Sequence, residues 1–251
     1  MMLSKSKINT FLRCPRSFKY IYIDKLEDEI GEAAQIGLNV HEYAENIAKE
    51  LMNRDIITES LIFDIMLELY PFDEEEFSDD QHALSLLTFF IDALIEQNYK
   101  IFSVEGRVDD EEDQLRGIVD LVLEDQDTGE LFVIDYKTGK VKAISNFRLE
   151  LCIYRKLIEH KYPDRKVVSA AIFFTQNASY KGFNFAESQK KGSYVTEEEY
   201  NLVFDLINEI RTLIDNEYSS PHRDDISKNQ RYSFCRNYCN FYEQCKADGG
   251  R

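Results

Sequence analysis

Residues 115–140 constrain the fold of this chain more than any other stretch. Two short apolar runs, 118–123 and 131–134, flank a polar segment with Asp-Thr-Gly at 127–129. Apolar β-branched residues favour strands, while Asp and Gly favour the turn that joins them. The segment therefore predicts a β-hairpin, around which we expect the rest of the chain to be organised.

The register of this hairpin brings two acids of its apolar strands together. If the turn is centred between residues 127 and 128, Asp120 on the first strand faces Asp135 on the second. Opposed side chains lie about 4.5–5.5 Å apart at Cβ, so the two carboxylates need a cation between them or one must hold a proton. Lys137, two residues beyond Asp135, shares its face. This predicts a divalent metal site beside a water-activating lysine, unless a bulge in the turn slips the register.

Two motifs in the hairpin resemble those of a known nuclease family. Gly117-Ile-Val-Asp120 in the first strand is followed by Ile134-Asp-Tyr-Lys-Thr-Gly139 in the second. Together they resemble the core of the PD-(D/E)XK nuclease superfamily, in its RecB-like branch. The resemblance implies an α/β, restriction-endonuclease-like core, in which a central mixed sheet is flanked by helices.

The pattern of the remaining chain fits such a core. We expect helices at 4–23 (interrupted at Pro15), 32–52, 57–70, 81–97, 145–160 and 197–218, and strands at 101–108, 166–175 and 180–185 besides the hairpin. The order helix, three strands, helix, strand predicts an α/β sandwich. Residues 47–97 have apolar faces and no evident chemistry, so we expect a helical insertion within a single nuclease domain, 1–251.

The composition predicts a globular protein with one sizeable core. With 251 residues, 43% of them hydrophobic and 13% aromatic, the chain is long and apolar enough to fold. The sequence contains no apolar run of about 18 residues, so no transmembrane helix is expected. The N-terminal residues lack the apolar core of a secretory signal. We therefore expect a cytoplasmic protein without membrane partners.

The charge of the chain is strongly acidic but unevenly distributed. The formal net charge of −17, taken alone, argues against a nucleic-acid-binding protein. Bases nevertheless outnumber acids in residues 1–25 and 131–170. Each stretch is either a solvated face or part of a local basic groove on an acidic body.

The family resemblance assigns roles to residues around the hairpin. Asp120 and Asp135 would hold Mn²⁺ or Mg²⁺, with Lys137 as the catalytic lysine. His41 lies one helical turn after Gly37, which resembles the family's Gly-x-x-x-His helix motif with a histidine ligand. A lone histidine is otherwise more often structural, and as a ligand it would favour Mn²⁺.

Further residues would complete the site. The Tyr136 backbone carbonyl and Glu105 are expected as additional metal ligands, although Glu105 could equally be a strand-edge charge. Glu150 and Tyr154 share one helix face and resemble the family's Gln-x-x-x-Tyr motif, with glutamate in place of glutamine. This glutamate would be either another metal ligand or a cause of weaker DNA binding.

Clustered cysteines predict a second metal centre. In a cytoplasmic chain they suggest metal binding rather than disulfides, and four thiolates suit [4Fe–4S], [2Fe–2S] or Zn²⁺ on chemistry alone. The sequence around Cys14 resembles the N-terminal signature of iron–sulfur RecB-like nucleases, which favours an iron–sulfur cluster, with [4Fe–4S] first. It would staple residues 1–25 to 229–248, although the Cys-x-x-x-Cys spacing departs from the family's Cys-x-x-Cys. The expected ligands are Cys14, Cys235, Cys239 and Cys245.

The resemblance is strongest to the CRISPR-associated RecB-like exonucleases. It implies a metal-dependent DNA exonuclease for single-stranded or frayed ends, with DNA and either CRISPR integration proteins or a helicase–nuclease complex as partners. The main alternative is a DNA-end-binding or scaffolding subunit with a vestigial site. The net charge favours that alternative, whereas the complete set of Asp120, Asp135 and Lys137 argues against it. A nuclease fold on a structural zinc site is a third possibility.

Overall fold

The computed structural model describes residues 1–28, 31–72, 74–186, 193–215, 235–236 and 239–247. Parts of two predicted segments lie outside these residues, namely 216–218 of the last helix and 229–234, 237–238 and 248 of the cysteine-rich segment. The chain divides into two compact units, one formed by Met1–Gly31 with Leu202–Arg251 and the other by Glu32–Asn201. The expected bounds of the helical insertion and of the cysteine-rich subdomain stay predictions.

A mixed sheet forms the centre of the unit Glu32–Asn201. In the described part of the chain it has six strands, arranged in chain order. β1 to β3 are antiparallel neighbours, β3 and β4 are parallel, β4 and β5 antiparallel, and β5 and β6 parallel. This mixed sheet confirms the predicted α/β class. The strands are β1 (Tyr99–Asp110), β2 (Leu115–Asp125), β3 (Leu131–Lys137), β4 (Val167–Phe174), β5 (Ser179–Ala186) and β6 (Tyr194–Thr196).

Helices lie at or near every position where the sequence predicts them. Three further elements lie outside these predicted positions, namely α5 (Glu74–Asp79), α9 (Tyr242–Ala247) and β6. α5 lies in the acidic run between two predicted helices and buries only Phe77, and β6 is too short to show alternation. The helices are α1 (Lys5–Arg13), α2 (Pro15–Phe18), α3 (Glu32–Met52), α4 (Glu59–Leu69), α5 (Glu74–Asp79), α6 (Gln81–Ile91), α7 (Arg148–Lys161), α8 (Glu197–Asp215) and α9 (Tyr242–Ala247). Single π-helical turns follow α2 at Lys19–Ile23 and α6 at Asp92–Glu96, and a 3₁₀ turn at Ile144–Phe147 precedes α7.

The central hairpin has the predicted register. Leu121 pairs with Ile134, as a turn centred between residues 127 and 128 requires. The Asp125 carboxylate accepts hydrogen bonds from the backbone N–H groups of residues 127 and 128, at 2.8 and 2.9 Å. Gly129 has φ of 72°, a conformation that glycine adopts without strain. Local turn chemistry therefore sets the pairing of β2 with β3.

Helices cover the sheet. One apolar core combines buried residues of α3, α4, α5 and α6 with residues of β1 to β4, among them Ile47, Met66, Phe89 and Tyr136. Helix α7 packs on β2 so closely that a Cβ on Gly117 would lie 2.6 Å from Leu157 Cδ1. These contacts place α3 and α7, the two helices with predicted site residues, against the central hairpin. No helix within the described ranges is long and apolar enough to cross a bilayer.

Candidate active site

The candidate site begins where β2 and β3 separate. Their pairing ends at Leu121 and Ile134. Asp120, which immediately precedes Leu121 in β2, contacts two other elements through its side chain. Asp120 Oδ2 accepts a hydrogen bond from the Tyr136 backbone N–H at 2.9 Å and lies 3.2 Å from His41 Nδ1. Asp120 is therefore held between β3 and α3.

Three side chains from α3, β1 and β2 form a group suited to a metal ion. His41, Glu105 and Asp120 each offer one ligand atom, and these atoms lie within 4.8 Å of one another. Two carboxylates and one imidazole form a ligand set that suits Mn²⁺ and can also bind Mg²⁺. The group lies in an open cleft of about 730 Å³. Its donor chemistry and access thus fit a catalytic divalent cation.

Glu105 has an unusual backbone conformation. Its φ is 43°, in the left-handed region that residues with a side chain rarely adopt. The neighbouring pairs on either side, Val104 with Leu121 and Gly106 with Val119, keep the β1–β2 register. Such local strain costs about 1–3 kcal/mol and is concentrated at functional sites. The strain at Glu105 thus coincides with its place in the candidate metal group.

Two residues of this group, Glu105 and His41, have raised pKa values, so a bound cation would replace protons there. Burial, together with the Asp120 charge, raises the pKa of Glu105 from 4.5 to about 7. Burial lowers the pKa of His41, but the hydrogen bond and charge of Asp120 outweigh it and raise the pKa above 6.5. Glu105 therefore holds a proton near neutrality, and His41 keeps its proton to higher pH than an ordinary histidine. A bound divalent cation would displace these protons.

Lys137 belongs to a second, adjoining group of side chains. Its Nζ contacts Asp135 Oδ2 and lies 3.1 Å from Glu150 Oε1. The Tyr154 hydroxyl donates a hydrogen bond of 3.3 Å to Asp135 Oδ1. Burial lowers the pKa of Lys137, but the charges of Asp135 and Glu150 outweigh it and raise the pKa above its ordinary value. The lysine is therefore a partly buried, firmly protonated ammonium.

The structure gives contacts for three further residues that are expected at the site. Asp135, only 1% exposed, pairs with Lys137 and Tyr154 and lies outside the group of His41, Glu105 and Asp120. Tyr136 contacts Asp120 through its backbone N–H, and a role of its carbonyl as a metal ligand stays a prediction. Glu150 is an ion-pair partner of Lys137, which neither expected alternative included. Asp120 and Asp135 meet different neighbours because the pairing of β2 with β3 ends at Leu121 and Ile134.

The comparison with protein families decides the family of the chain. A model of the PD-(D/E)XK nuclease superfamily matches residues 2–246. The chain belongs to this superfamily. No curated protein matches the sequence. PD-(D/E)XK proteins are nucleases that use divalent cations such as Mg²⁺ or Mn²⁺, so the family assignment supports a metal-dependent, hydrolytic nuclease.

Two residues of this PD-(D/E)XK protein that the sequence did not single out anchor the end of β3. The Thr175 backbone N–H donates to the Lys137 carbonyl at 3.0 Å. The Thr175 hydroxyl lies 2.7 Å from His82 Nδ1, at the start of α6. Because His82 and Thr175 are far apart in sequence, no local pattern could have identified their contact. They hold the backbone of Lys137 in place.

The four cysteines expected to bind a cluster line one cavity of the PD-(D/E)XK chain. Arg16 lies at this cavity, where its guanidinium donates to the Cys245 carbonyl at 3.2 Å. Within the described ranges, no three cysteine sulfurs lie within 4.8 Å of one another. The arrangement therefore brings the cysteines to one place without forming a compact ligand set. The cysteines of this cavity are Cys14, Cys235, Cys239 and Cys245.

Part of the base-rich stretch 131–170 is neutralised. Arg148 pairs with Glu199 at 3.1 Å and Lys156 with Asp113 at 2.6 Å. Further pairs join Arg155 to Glu159 and Glu197, and Arg165 to Glu124. These contacts reduce the positive charge that the stretch can offer to DNA.

Proposed function

We propose that this chain is a metal-dependent deoxyribonuclease that hydrolyses phosphodiester bonds as an exonuclease on single-stranded or frayed DNA ends. The observation that carries the proposal is the metal-suited group of His41, Glu105 and Asp120 beside the partly buried ammonium of Lys137. Nucleases of this superfamily need both a divalent cation and a cationic group near the scissile phosphate. The exonuclease specificity and the choice of DNA rest on the sequence resemblance.

His41, Glu105 and Asp120 would hold Mn²⁺ or Mg²⁺ in this proposal. When bound, the cation would supply Lewis-acid polarisation of the phosphate and a lower pKa for the attacking water. Asp120 is preorganised for the ligand role, because the Tyr136 N–H fixes its carboxylate. Asp135 is a further candidate ligand, and it would have to exchange its contact with Lys137 for the cation.

Lys137 would act through its charge. As an ammonium held by two carboxylates, it can donate hydrogen bonds to the negative charge that develops on the phosphate oxygens. Its raised pKa disfavours a role as the base that removes a proton from water. Glu150 and Asp135 orient the ammonium, and Tyr154 orients Asp135. These contacts are preorganised before substrate binds.

The proposal is tested by cleavage of end-labelled single-stranded DNA with Mn²⁺, Mg²⁺ or EDTA. We expect metal-dependent degradation that is lost in Asp120→Ala and Lys137→Ala, both with native circular dichroism spectra. The position of the label gives the polarity. Absence of cleavage by a folded, metal-binding protein would contradict the proposal and favour the DNA-end-binding or scaffolding alternative.

We also propose that the cavity lined by Cys14, Cys235, Cys239 and Cys245 holds an iron–sulfur cluster, [4Fe–4S] in the first place. The convergence of thiols from both ends of the sequence supports it. Anaerobically purified protein should then absorb near 400 nm and contain iron and acid-labile sulfide, whereas a colourless protein with zinc would contradict it. A place in CRISPR spacer acquisition, with integration proteins or a helicase–nuclease complex, rests on the resemblance alone.

A further inference from the structure

A second cavity, of about 360 Å³, lies at the end of α6. Among the described residues, it shares no lining residue with the cleft of the metal group. Its size falls within the range of about 300–1,000 Å³ that is usual for ligand pockets. It is lined by Thr88, Phe89, Ile91, Asp92, Glu96, Phe173, Ala178 and Tyr180.

Three aromatic rings form one side of this cavity. The ring centroids of Phe173 and Tyr180 lie 4.8 Å apart, those of Phe89 and Phe173 lie 4.9 Å apart, and those of Phe89 and Tyr180 lie 5.8 Å apart. Phe89 and Phe173 are buried, whereas Tyr180 is 40% exposed. A solvent-accessible cavity with a cluster of rings is suited to a planar or cationic group.

Two carboxylates also line this cavity, where a helix ends. Asp92 and Glu96 begin and end the π-helical turn that follows α6, and this turn contains no basic residue. The C-terminal end of a helix carries partial negative charge and is stabilised by cations, so two carboxylates there are unfavourable. Isolated π-helical turns also occur frequently at functional sites. A bound cation would relieve this concentration of negative charge.

The two acids are not neutralised within the protein as described. No ion pair among the described residues involves Asp92 or Glu96. Asp92 also lies close to the aromatic side: burial raises the pKa of Tyr180, and the Asp92 charge raises it further. Carboxylate and aromatic ring are thus neighbours in one accessible cavity.

We propose that this cavity binds an arginine side chain of a partner protein. The guanidinium would stack on Tyr180 and form charge-assisted hydrogen bonds with Asp92 and Glu96. Arginine suits both demands, because its planar cation stacks on rings and pairs with carboxylates through several N–H groups. The phosphates of DNA would meet like charge here, whereas a basic partner complements a chain with net charge −17. The interaction does not depend on nuclease activity.

The test uses the full chain and two short peptides, acetyl-Gly-Arg-Gly-amide and the same peptide with citrulline, a neutral isostere of arginine. Binding is followed by chemical-shift changes of tyrosine and phenylalanine ring signals during titration. We expect the arginine peptide to shift signals of the cavity rings and to bind about tenfold or more tightly than the citrulline peptide. No binding up to about 10 mM, or equal binding of both peptides, would overturn the proposal.

Variants distinguish this cavity from general attraction to an acidic protein. Asp92→Asn/Glu96→Gln should weaken binding of the arginine peptide about tenfold. Asp64→Asn/Glu68→Gln removes an exposed acid pair of the same spacing from α4 and should leave binding unchanged. Asp92→Asn/Glu96→Gln should also melt no lower than the native chain, because it removes charge that opposes the helix end. Equal binding by both double variants would overturn the proposal.

Discussion

Lys137 and Glu150 form a partly buried ion pair with 3.1 Å between Nζ and Oε1. The pair joins β3 to α7, and Glu150 is only 4% exposed. A glutamine at this position could also hydrogen-bond to the ammonium, but only a carboxylate adds charge that keeps the lysine protonated. The pair therefore links Glu150, the residue that resembles the glutamine of a Gln-x-x-x-Tyr motif, directly to the proposed catalytic lysine.

Substitution of Glu150 tests whether it positions Lys137. Glu150→Ala should lower the cleavage rate about tenfold to a hundredfold, as loss of a supporting contact commonly does, and lower the free energy of unfolding by about 1–3 kcal/mol. Glu150→Gln keeps a hydrogen-bonding side chain and should lose less. Single-turnover rates with saturating Mn²⁺ measure the effect. Equal losses in the two variants would contradict a positioning role.

Metal binding should depend on pH and release protons. A divalent cation must displace protons from Glu105, whose pKa is about 7, and from His41, whose pKa is raised above 6.5. Mn²⁺ affinity should therefore rise as pH increases through about 7 and level off above both pKa values. Calorimetric titration in buffers of different ionisation enthalpy counts the protons. Glu105→Gln should release fewer protons, and an unchanged count would contradict the assignment of Glu105 as a ligand.

Without metal, Glu105 should make stability depend on pH. Its pKa in the folded chain, about 7, lies above the unfolded value of 4.5, so the folded state binds the proton more tightly. Its contribution therefore becomes less favourable as pH rises from about 4.5 to 7. In EDTA, Glu105→Gln should melt at a higher temperature than the native chain above pH 7, and the gain should shrink in acid. A gain that is the same at every pH would contradict this origin.

Gly117 should be essential for the close approach of α7. A Cβ at this position would lie 2.6 Å from Leu157 Cδ1, so Gly117→Ala should lower the free energy of unfolding by about 1–3 kcal/mol. Gly37→Ala is the control, because its Cβ would meet Thr138 Oγ1 at an ordinary 3.6 Å. Denaturant unfolding measures both. Similar stabilities of the two variants would show that α7 adjusts freely.

Two exposed apolar side chains in the metal cleft should contact the substrate. Leu38 and Ile118 line the cleft and are 53% and 51% exposed. If the nuclease proposal holds, the double variant Leu38→Ser/Ile118→Ser should raise KM for single-stranded DNA about fivefold with little change in kcat, since about 1 kcal/mol of apolar contact is lost. Ile36→Ser is the control, because Ile36 is exposed but does not line the cleft. An equal change in KM in the control would contradict the assignment.

Local chemistry made part of this site predictable. The hairpin register follows from the turn at 125–130, and short motifs single out Asp120, Lys137 and His41 as candidate site residues. The separation of Asp120 from Asp135 does not follow from local sequence, because it depends on how β2 and β3 diverge where their pairing ends, at Leu121 and Ile134. Strand pairing is encoded locally, whereas divergence reflects packing of the whole sheet.

Contacts between distant segments could not be predicted from the sequence. The pairing of Lys137 with Glu150 and the contact of His82 with Thr175 each join separate elements. The same holds for the aromatic cavity, whose rings come from α6, β4 and β5. Each of these residues has an ordinary local pattern, so only the folded chain reveals which side chains meet.

The length of the hairpin turn also determines which residues of β2 and β3 meet at the candidate site. Side chains alternate along a strand, so inserting or deleting one residue between Asp125 and Leu131 would shift every later partner of β2 to the opposite face. The Tyr136 N–H would then no longer reach Asp120, although every residue of the candidate site would still be present. In this segment, natural variation in composition should be far better tolerated than an odd change in length.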